Sequence, residues 1–253
     1  GNFVLSRNFT LQNVGNLEWL NDNYNFSKIS YFIDELIILN VSKNKQIDKF
    51  CETIKKLTKN CFIPIAAGGG IKSIKDARNI INSGADKVVI NSIIADNLDF
   101  INQTSKIYGS QSIIASVDLK KDKDTYFAYN NNGTNQVEEG FKYLMKISKL
   151  PIGEIYLNSM NKDGTGQGYD IDMLDILPKD NNLPIIIAGG AGNHNHLFDG
   201  LKNKKIDAVA TAHLFNFVGD GLKNSRKSLL EKGINLPYWD EKQIENLKTE
   251  IAI

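Results

Sequence analysis

At 253 residues, 42% of them hydrophobic, the chain is long enough to enclose one large core, and a single domain covering residues 1–253 is expected. Thirty basic and 29 acidic residues leave a formal charge of +1 with no long run of one sign; this excludes a nucleic-acid or membrane-surface footprint and requires any anionic ligand to be met locally. Cys51 and Cys61 fit neither a disulfide framework nor a metal pattern, and no apolar run reaches the roughly 18 residues of a membrane span, so a reducing cytoplasmic setting without a membrane is expected.

The chain opens on Phe3 to Ser6 as though already inside a strand, which points to something missing upstream. A segment rich in Asn and aromatics follows, with a helix from near Leu17, and its Tyr24 and Phe26 read as packing residues. Glu35 to Asn40 is a strand with a polar tip; the helix Lys45 to Lys59 then carries Ile47, Phe50, Ile54 and Leu57 at helical spacing. Strand Ile63 to Gly68, helix Ile74 to Ser83, strand Lys87 to Asn91 and helix Asn97 to Tyr108 continue a β-then-α alternation, the pattern of a parallel sheet. Ser112 to Asp118 is an apolar strand ending in a carboxylate. The polar excursion after it, Leu119 to Gln136, holds a hairpin through Tyr126 to Tyr129 and the Asn132–Gly133 turn. Helix Val137 to Ser148, strand Glu154 to Asn158, a glycine-rich loop Asn161 to Asp170, helix Ile171 to Leu177, strand Pro184 to Gly189, helix Asn195 to Lys202, strand Ala208 to Ala212 and further helices complete the series.

Two stretches repeat. A-A-G-G-G-I at Ala66 to Ile71 followed by G-A-D-K-V-V-I-N-S at Gly84 to Ser92 recurs, about 120 residues later, as I-I-I-A-G-G-A-G at Ile185 to Gly192 and D-A-V-A-T-A-H at Asp207 to His213. Seven parallel strands are counted, beginning near residues 35, 63, 87, 112, 154, 184 and 208, whereas a closed barrel has eight. The repeat leaves the Ser112 strand unmatched, so its partner is expected before residue 1 unless Phe3 to Leu5 is its remnant. The expected fold is therefore an α/β (β/α)8 TIM barrel of two related halves with its first strand missing from the sequence or degraded. A doubly wound open sheet competes, and it does not account for the repeat.

In such a barrel, function gathers where strands end and βα loops begin. Glycine turns there expose backbone N–H groups that cradle an anion. Gly69, Gly70 and Ser92 would form one phosphate site, and Gly190, Ala212 and the His213 backbone the other, with Asn91 and Asn158 as further polar strand tips. The loop Asp163 to Gly168 would add N–H donors, close as a lid, or serve only as a flexible turn. Asp118 is the catalytic candidate, since a carboxylate in partly apolar surroundings has the raised pKa that general acid–base work needs, and a capping role is the alternative. Asp86 and Asp207 precede their strands and suit structural roles. His194 and His196 flank a helix start and are expected at the surface, so neither a metal nor a cofactor is expected. Glu35, Lys87 and Glu154 each begin a strand and should meet as a salt-bridged ring at the opposite opening.

The motifs D-E-L-I-I-L, G-G-G-I, G-A-D-K-V-x-I-N-S, G-S-Q-x-I-I-A-x-V-D, G-E-I-x-L-N-S, D-G-T-x-x-G-Y-D and I-I-A-G-G-A-G, in that order, resemble the cyclase subunit of imidazole glycerol phosphate synthase over almost the whole length. The resemblance implies a lyase of histidine biosynthesis: a barrel that binds a doubly phosphorylated substrate and takes ammonia through its axis from a separate glutaminase subunit docked at the barrel's bottom. It places Glu35, Lys87 and Glu154 on the ammonia gate, Asp118 on a catalytic aspartate, and Gln111 and Asp86 on a supporting pair. Gly70, Ser92, Asp163, Gly164, Gly190, Ala212 and His213 fall on phosphate contacts. Several positions depart from the family pattern. The other catalytic aspartate belongs to the absent first strand, the lysine of the hairpin after it aligns with Leu5, Asn40 replaces a usual aspartate, and four extra residues separate Gly15 from Asp34. These departures cluster on the substrate face and resemble a paralogous branch, found with surface-polysaccharide and nonulosonic-sugar genes, that uses the ammonia to amidinate a sugar. A non-catalytic scaffold that holds a glutaminase and a phosphosugar isomerase of similar fold are the further alternatives.

Overall fold

Short runs of β-branched and small apolar residues build the centre of the molecule, and the Ile65–Gly68 and Ile185–Ala188 strands are buried at every position. Such runs suit a parallel sheet covered on both faces, where neither side of the strand meets water. The structure is a computed structural model that describes residues 1–23, 29–59, 61, 63–213, 220–238, 240 and 246. Tyr24 and Phe26 lie outside the described residues.

The chain begins with a hairpin, β1 (Asn2–Arg7) and β2 (Thr10–Asn16), and helix α1 (Leu17–Asn23). Then follow β3 (Leu36–Leu39), α2 (Ile47–Thr58), β4 (Ile65–Gly68), α3 (Ile74–Asn82), β5 (Lys87–Ile90), α4 (Ser92–Asp96) and α5 (Leu98–Tyr108). The second half holds β6 (Ile113–Asp122), β7 (Thr125–Asn130), β8 (Asn135–Glu139), α6 (Gly140–Ile147), β9 (Glu154–Ser159), β10 (Ile185–Ala188), α7 (His194–Leu201), β11 (Ala208–Val209) and α8 (Gly221–Glu231).

Seven strands pair in the order β11-β10-β9-β6-β5-β4-β3, and every pairing along this path is parallel. The sheet curls on itself, because inward residues from both ends meet in one cluster: Ile37 of β3, Ala66, Val89, Ile114, Tyr156, Ile186 and Ala208 of β11. The alternate residues, such as Ile65, Val88, Ile113 and Ile155, face the larger core beneath the helices. This is the (β/α)8-type barrel sheet that the repeat predicts. Among the described residues β3 and β11 do not pair with each other. Outside this edge Arg226 of α8, itself buried, forks onto Asp34 at 2.8 and 3.1 Å and so ties the last described helix to the entry of β3.

The repeat extends to individual hydrogen bonds. Asp86 accepts from the Ile65 amide at 2.8 Å and Asp207 accepts from the Ile185 amide at 2.9 Å, each pinning the start of the preceding strand. Asp86→Ala is expected to leave the Ile65 N–H without a partner and to cost about 1–3 kcal/mol in urea denaturation, with Asp207→Ala costing a similar amount.

Five sequence expectations need correction. Phe3 to Leu5 is no remnant of a barrel strand: it lies in β1, which pairs antiparallel with β2 in a separate two-stranded sheet. The turn residues Asn8 and Phe9, both at positive φ (48° and 62°), make the tight turn of a local hairpin. Asp118 does not end its strand, since β6 runs on to Asp122 against β7. Val137 belongs to β8, and the helix begins at Gly140, because Asn135–Glu139 pairs with β7. Ile171–Ile176 winds as a 3-10 helix, and the last barrel strand is only Ala208–Val209.

Candidate functional site

Strand alternation stacks the inward residues in layers. On β9, Glu154, Tyr156 and Asn158 share the inward face, and Glu154 and Asn158 stand about 13 Å apart along the strand. On β5 the same face carries Lys87 and Val89, with Asn91 just beyond the strand; on β6 it carries Ile114, Ser116 and Asp118. Charged residues therefore occupy the N-terminal layer, apolar residues and Tyr156 the middle, and polar residues the C-terminal layer.

In the N-terminal layer Lys87 Nζ donates to Glu35 Oε2 at 2.7 Å and to Glu154 Oε1 at 2.6 Å, the ring expected from the three strand starts. Burial works against the Lys87 charge, but the bonds to Glu154 and Glu35 outweigh it and hold the ammonium above its ordinary pKa. Burial raises the Glu35 carboxyl despite Lys87, and Glu35 Oε1 is buried without a hydrogen-bond partner. Asp86 and Gln111 lie at this end too, at the entries of β5 and β6, opposite the Asp118 end.

In the C-terminal layer Asp118 is buried. Its two oxygens accept from Asn158 Nδ2 at 3.0 Å and Asn91 Nδ2 at 3.1 Å, and Asn91 also donates to the Ser116 carbonyl. Burial pushes the carboxyl up to about 6; Asp163 pushes the same way, while the amides of Asn158 and Asn91 pull down. The carboxylate is thus poised to hold or release a proton near neutral pH. Tyr156, below it, has its phenol pushed up by burial and then by Asp118 and Asp163.

The two glycine turns flank this carboxylate. Gly69 and Gly70 have φ of 101° and 86°, and Gly189 and Gly190 have φ of 86° and 109°, conformations that favour glycine. A side chain at Gly69 would collide with the Asn40 carbonyl, and one at Gly190 with the Gly168 carbonyl. Gly69→Ala is expected to cost about 1–3 kcal/mol, read by denaturation, from this collision and the unfavourable φ. The Asp163 to Gly168 loop lies over the second turn, with the Gly168 amide on the Gly190 carbonyl at 2.8 Å and Gly166 against His213. His194 is exposed as expected. His196 is instead half-buried, its Nδ1 accepting from the Gly192 amide at 3.0 Å.

Asp163 and Gly164 have a structural partner that spacing could not reveal. Asp163 Oδ2 accepts from Ser6 Oγ at 2.5 Å and from the Phe9 amide at 2.9 Å, and Gly164 sits against the Ser6 carbonyl. They hold the β1–β2 hairpin over the strand ends. Ser92 Oγ accepts from the Asn131 amide at 3.2 Å, joining the first turn's rim to the β7–β8 turn. Asn40 is engaged locally, its side-chain oxygen accepting from Ser42. Both glycine turns, Ala212, His213, Asn158 and Asp118 border one cavity of about 2250 Å³, which also reaches Glu35 and Glu154 along the open β3–β11 edge. Lys45 borders the same cavity, although its place in the sequence predicts the start of a helix. The residue, at φ 43°, follows a turn before α2 and lies against Gly70. Among the described residues no three His, Cys, Asp or Glu side chains are placed to hold a metal ion.

Parallel βα units, an internal half-repeat and polar residues gathered at the C-terminal strand ends define a half-barrel-repeat α/β protein with its candidate site at that mouth. The chain belongs to the histidine biosynthesis protein family, whose model matches residues 25–219. It is 45% identical over 242 residues, 94% of this chain and 90% of the relative, to a protein of Parasynechococcus marenigrum strain WH8102 provisionally named imidazole glycerol phosphate synthase subunit hisF2. It is 35% identical over 205 residues, 80% of this chain and 82% of the relative, to the imidazole glycerol phosphate synthase subunit HisF of Chlorobium phaeovibrioides. Identity to the protein of the same name from Chlorobium limicola is 36% over 203 residues, 79% of this chain and 81% of that one.

Proposed function

We propose that this chain is an enzyme, the synthase subunit of a glutamine-dependent synthase of the imidazole glycerol phosphate synthase type, working in the cytoplasm as one barrel domain with a separate glutaminase. The observation that carries the reading is that both glycine turns and Asp118 border a single cavity. Each turn grips one phosphate of a doubly phosphorylated substrate, and Asp118 stands between them. Gly69, Gly70 and Ser92 serve the first phosphate; Gly190, Ala212 and His213, with the loop of Asp163 and Gly164, serve the second. The glutaminase docks at the face of Glu35, Lys87 and Glu154, whose ring admits ammonia to the axis. Ammonia attacks the substrate carbonyl, and Asp118, oriented by Asn91 and Asn158, takes and returns protons during bond cleavage and ring closure.

The gene should restore growth without histidine to a strain lacking its own cyclase subunit; no growth despite abundant folded protein overturns the cyclase activity. One observation favours the sugar-amidinating paralogue as a second reading. Asn40 replaces a carboxylate and is turned onto Ser42, and the described carboxylate nearest Asp118 in its effect, Asp163, is occupied by the hairpin. A two-carboxylate mechanism then lacks its usual partner, and growth failure with retained ammonia uptake from a glutaminase would select this branch.

A further inference from the structure

We propose that Lys45 supplies the positive charge for the phosphate at the first glycine turn, and so makes this end of the cavity an anion site. The inference rests on the reading of Gly69 and Gly70 as an anion turn and deepens it.

Lys45 Nζ donates to the Asn40 carbonyl at 2.6 Å and to Asn132 Oδ1 at 2.8 Å. An ammonium has three N–H groups, so one donor remains. Both acceptors are neutral, and among the described residues no carboxylate lies within ion-pair distance of this nitrogen, in contrast to Lys87. Burial lowers the Lys45 pKa with no counter-charge to oppose it. A half-buried cation held only by neutral oxygens at the rim of a cavity is arranged to meet an anion that comes from outside the chain.

Its position matches that task. The Asn40 carbonyl it holds is the group that packs on Gly69, and the Lys45 Cβ lies 2.7 Å from where a side chain on Gly70 would begin. Glycine at 70 is therefore what lets the lysine stem lie against the turn, and Lys45 borders the same cavity as Asp118. The second half-barrel repeats the arrangement. Lys162, after β9 as Lys45 is after β3, has its Cβ 3.1 Å from where a side chain on Gly190 would begin. A lysine stem is thus laid against the glycine turn in both halves.

The test is a titration of the 15N-labelled protein with inorganic phosphate, following the Gly69 and Gly70 amide signals. Wild type should shift saturably, Lys45→Met should bind roughly tenfold or more weakly, and Lys45→Arg should stay within a few-fold of wild type. Should Lys45→Met not fold, Lys45→Gln, which keeps a neutral donor toward Asn40 or Asn132, carries the same comparison. Unchanged affinity in the neutral variant overturns the proposal and leaves Lys45 as a pin between two loops, with the anion turn intact. No shift at Gly69 and Gly70 in wild type overturns the anion turn itself, and Lys45 with it.

Discussion

Asp118→Asn is expected to lower synthase turnover by about 10²–10⁴-fold, the usual worth of a positioned acid–base group, without unfolding the protein. Asparagine has the same shape, but its single carbonyl can accept from only one of the two amides, Asn91 and Asn158, that now face the carboxylate. The misfit costs about 1 kcal/mol, and removal of a buried charge offsets it at neutral pH. The pH signature is more telling. The folded carboxyl titrates at about 6, above its ordinary value of 3.8, so the folded state holds the proton more tightly than the unfolded chain. The stability it contributes is fully present below the unfolded value and is lost as pH rises through about 6. Over that window wild type should lose up to about 3 kcal/mol relative to Asp118→Asn, measured as the difference between their urea curves from pH 4 to pH 7. Turnover runs the other way, and kcat/KM of wild type should fall below pH 6 as the base becomes protonated. A stability difference independent of pH would remove the assignment of a buried, proton-holding Asp118.

Lys87→Met is expected to destabilise the protein by about 2 kcal/mol at pH 7, because it leaves Glu35 and Glu154 with no cation between them. The figure is set below the roughly 3–5 kcal/mol of a fully buried broken pair, since these side chains keep about a fifth of their exposure and solvent screens them. The raised pKa of Glu35 gives the sign of the pH effect: acidification protonates that carboxyl, so the loss should shrink as pH falls. In wild type the raised Lys87 pKa keeps its contribution in place until strongly alkaline pH, where deprotonation removes it. With a glutaminase partner present, the substitution should depress glutamine-driven turnover while turnover driven by added ammonium salt persists. Equal change in both rates would overturn the gate.

The parts of the fold legible in the sequence were those whose causes are local. Buried β-branched runs such as Ile185–Ala188 and amphipathic helices such as Ile47–Thr58 announce themselves within a dozen residues, and the glycine turns repeat because the same backbone conformation is needed twice. The charged strand starts at Glu35, Lys87 and Glu154 were likewise legible, since parallel pairing sends them to one end of the sheet. The illegible parts depend on distant partners. Val137 sits in a strand only because β7 lies beside it, and Asp163 clamps Ser6, 157 residues away. Lys45 looked like the first residue of a helix, and its contact with Asn132, 87 residues on, is invisible to any periodicity.

By itself, the sequence determined the parallel α/β alternation, the two-half repeat, the glycine turns and the charges at the strand starts, because strand period and glycine's backbone freedom are properties of short segments. Only the tertiary structure decided that the first hairpin stands apart from the barrel sheet and is held by Asp163. It also decided that Asp118 is buried within a continuing strand between two amides, and that Lys45 lies on the glycine turn. The reason is that burial, proton affinity and the pairing of charges are set by what curling the sheet brings together, and none of those neighbours is near in the chain.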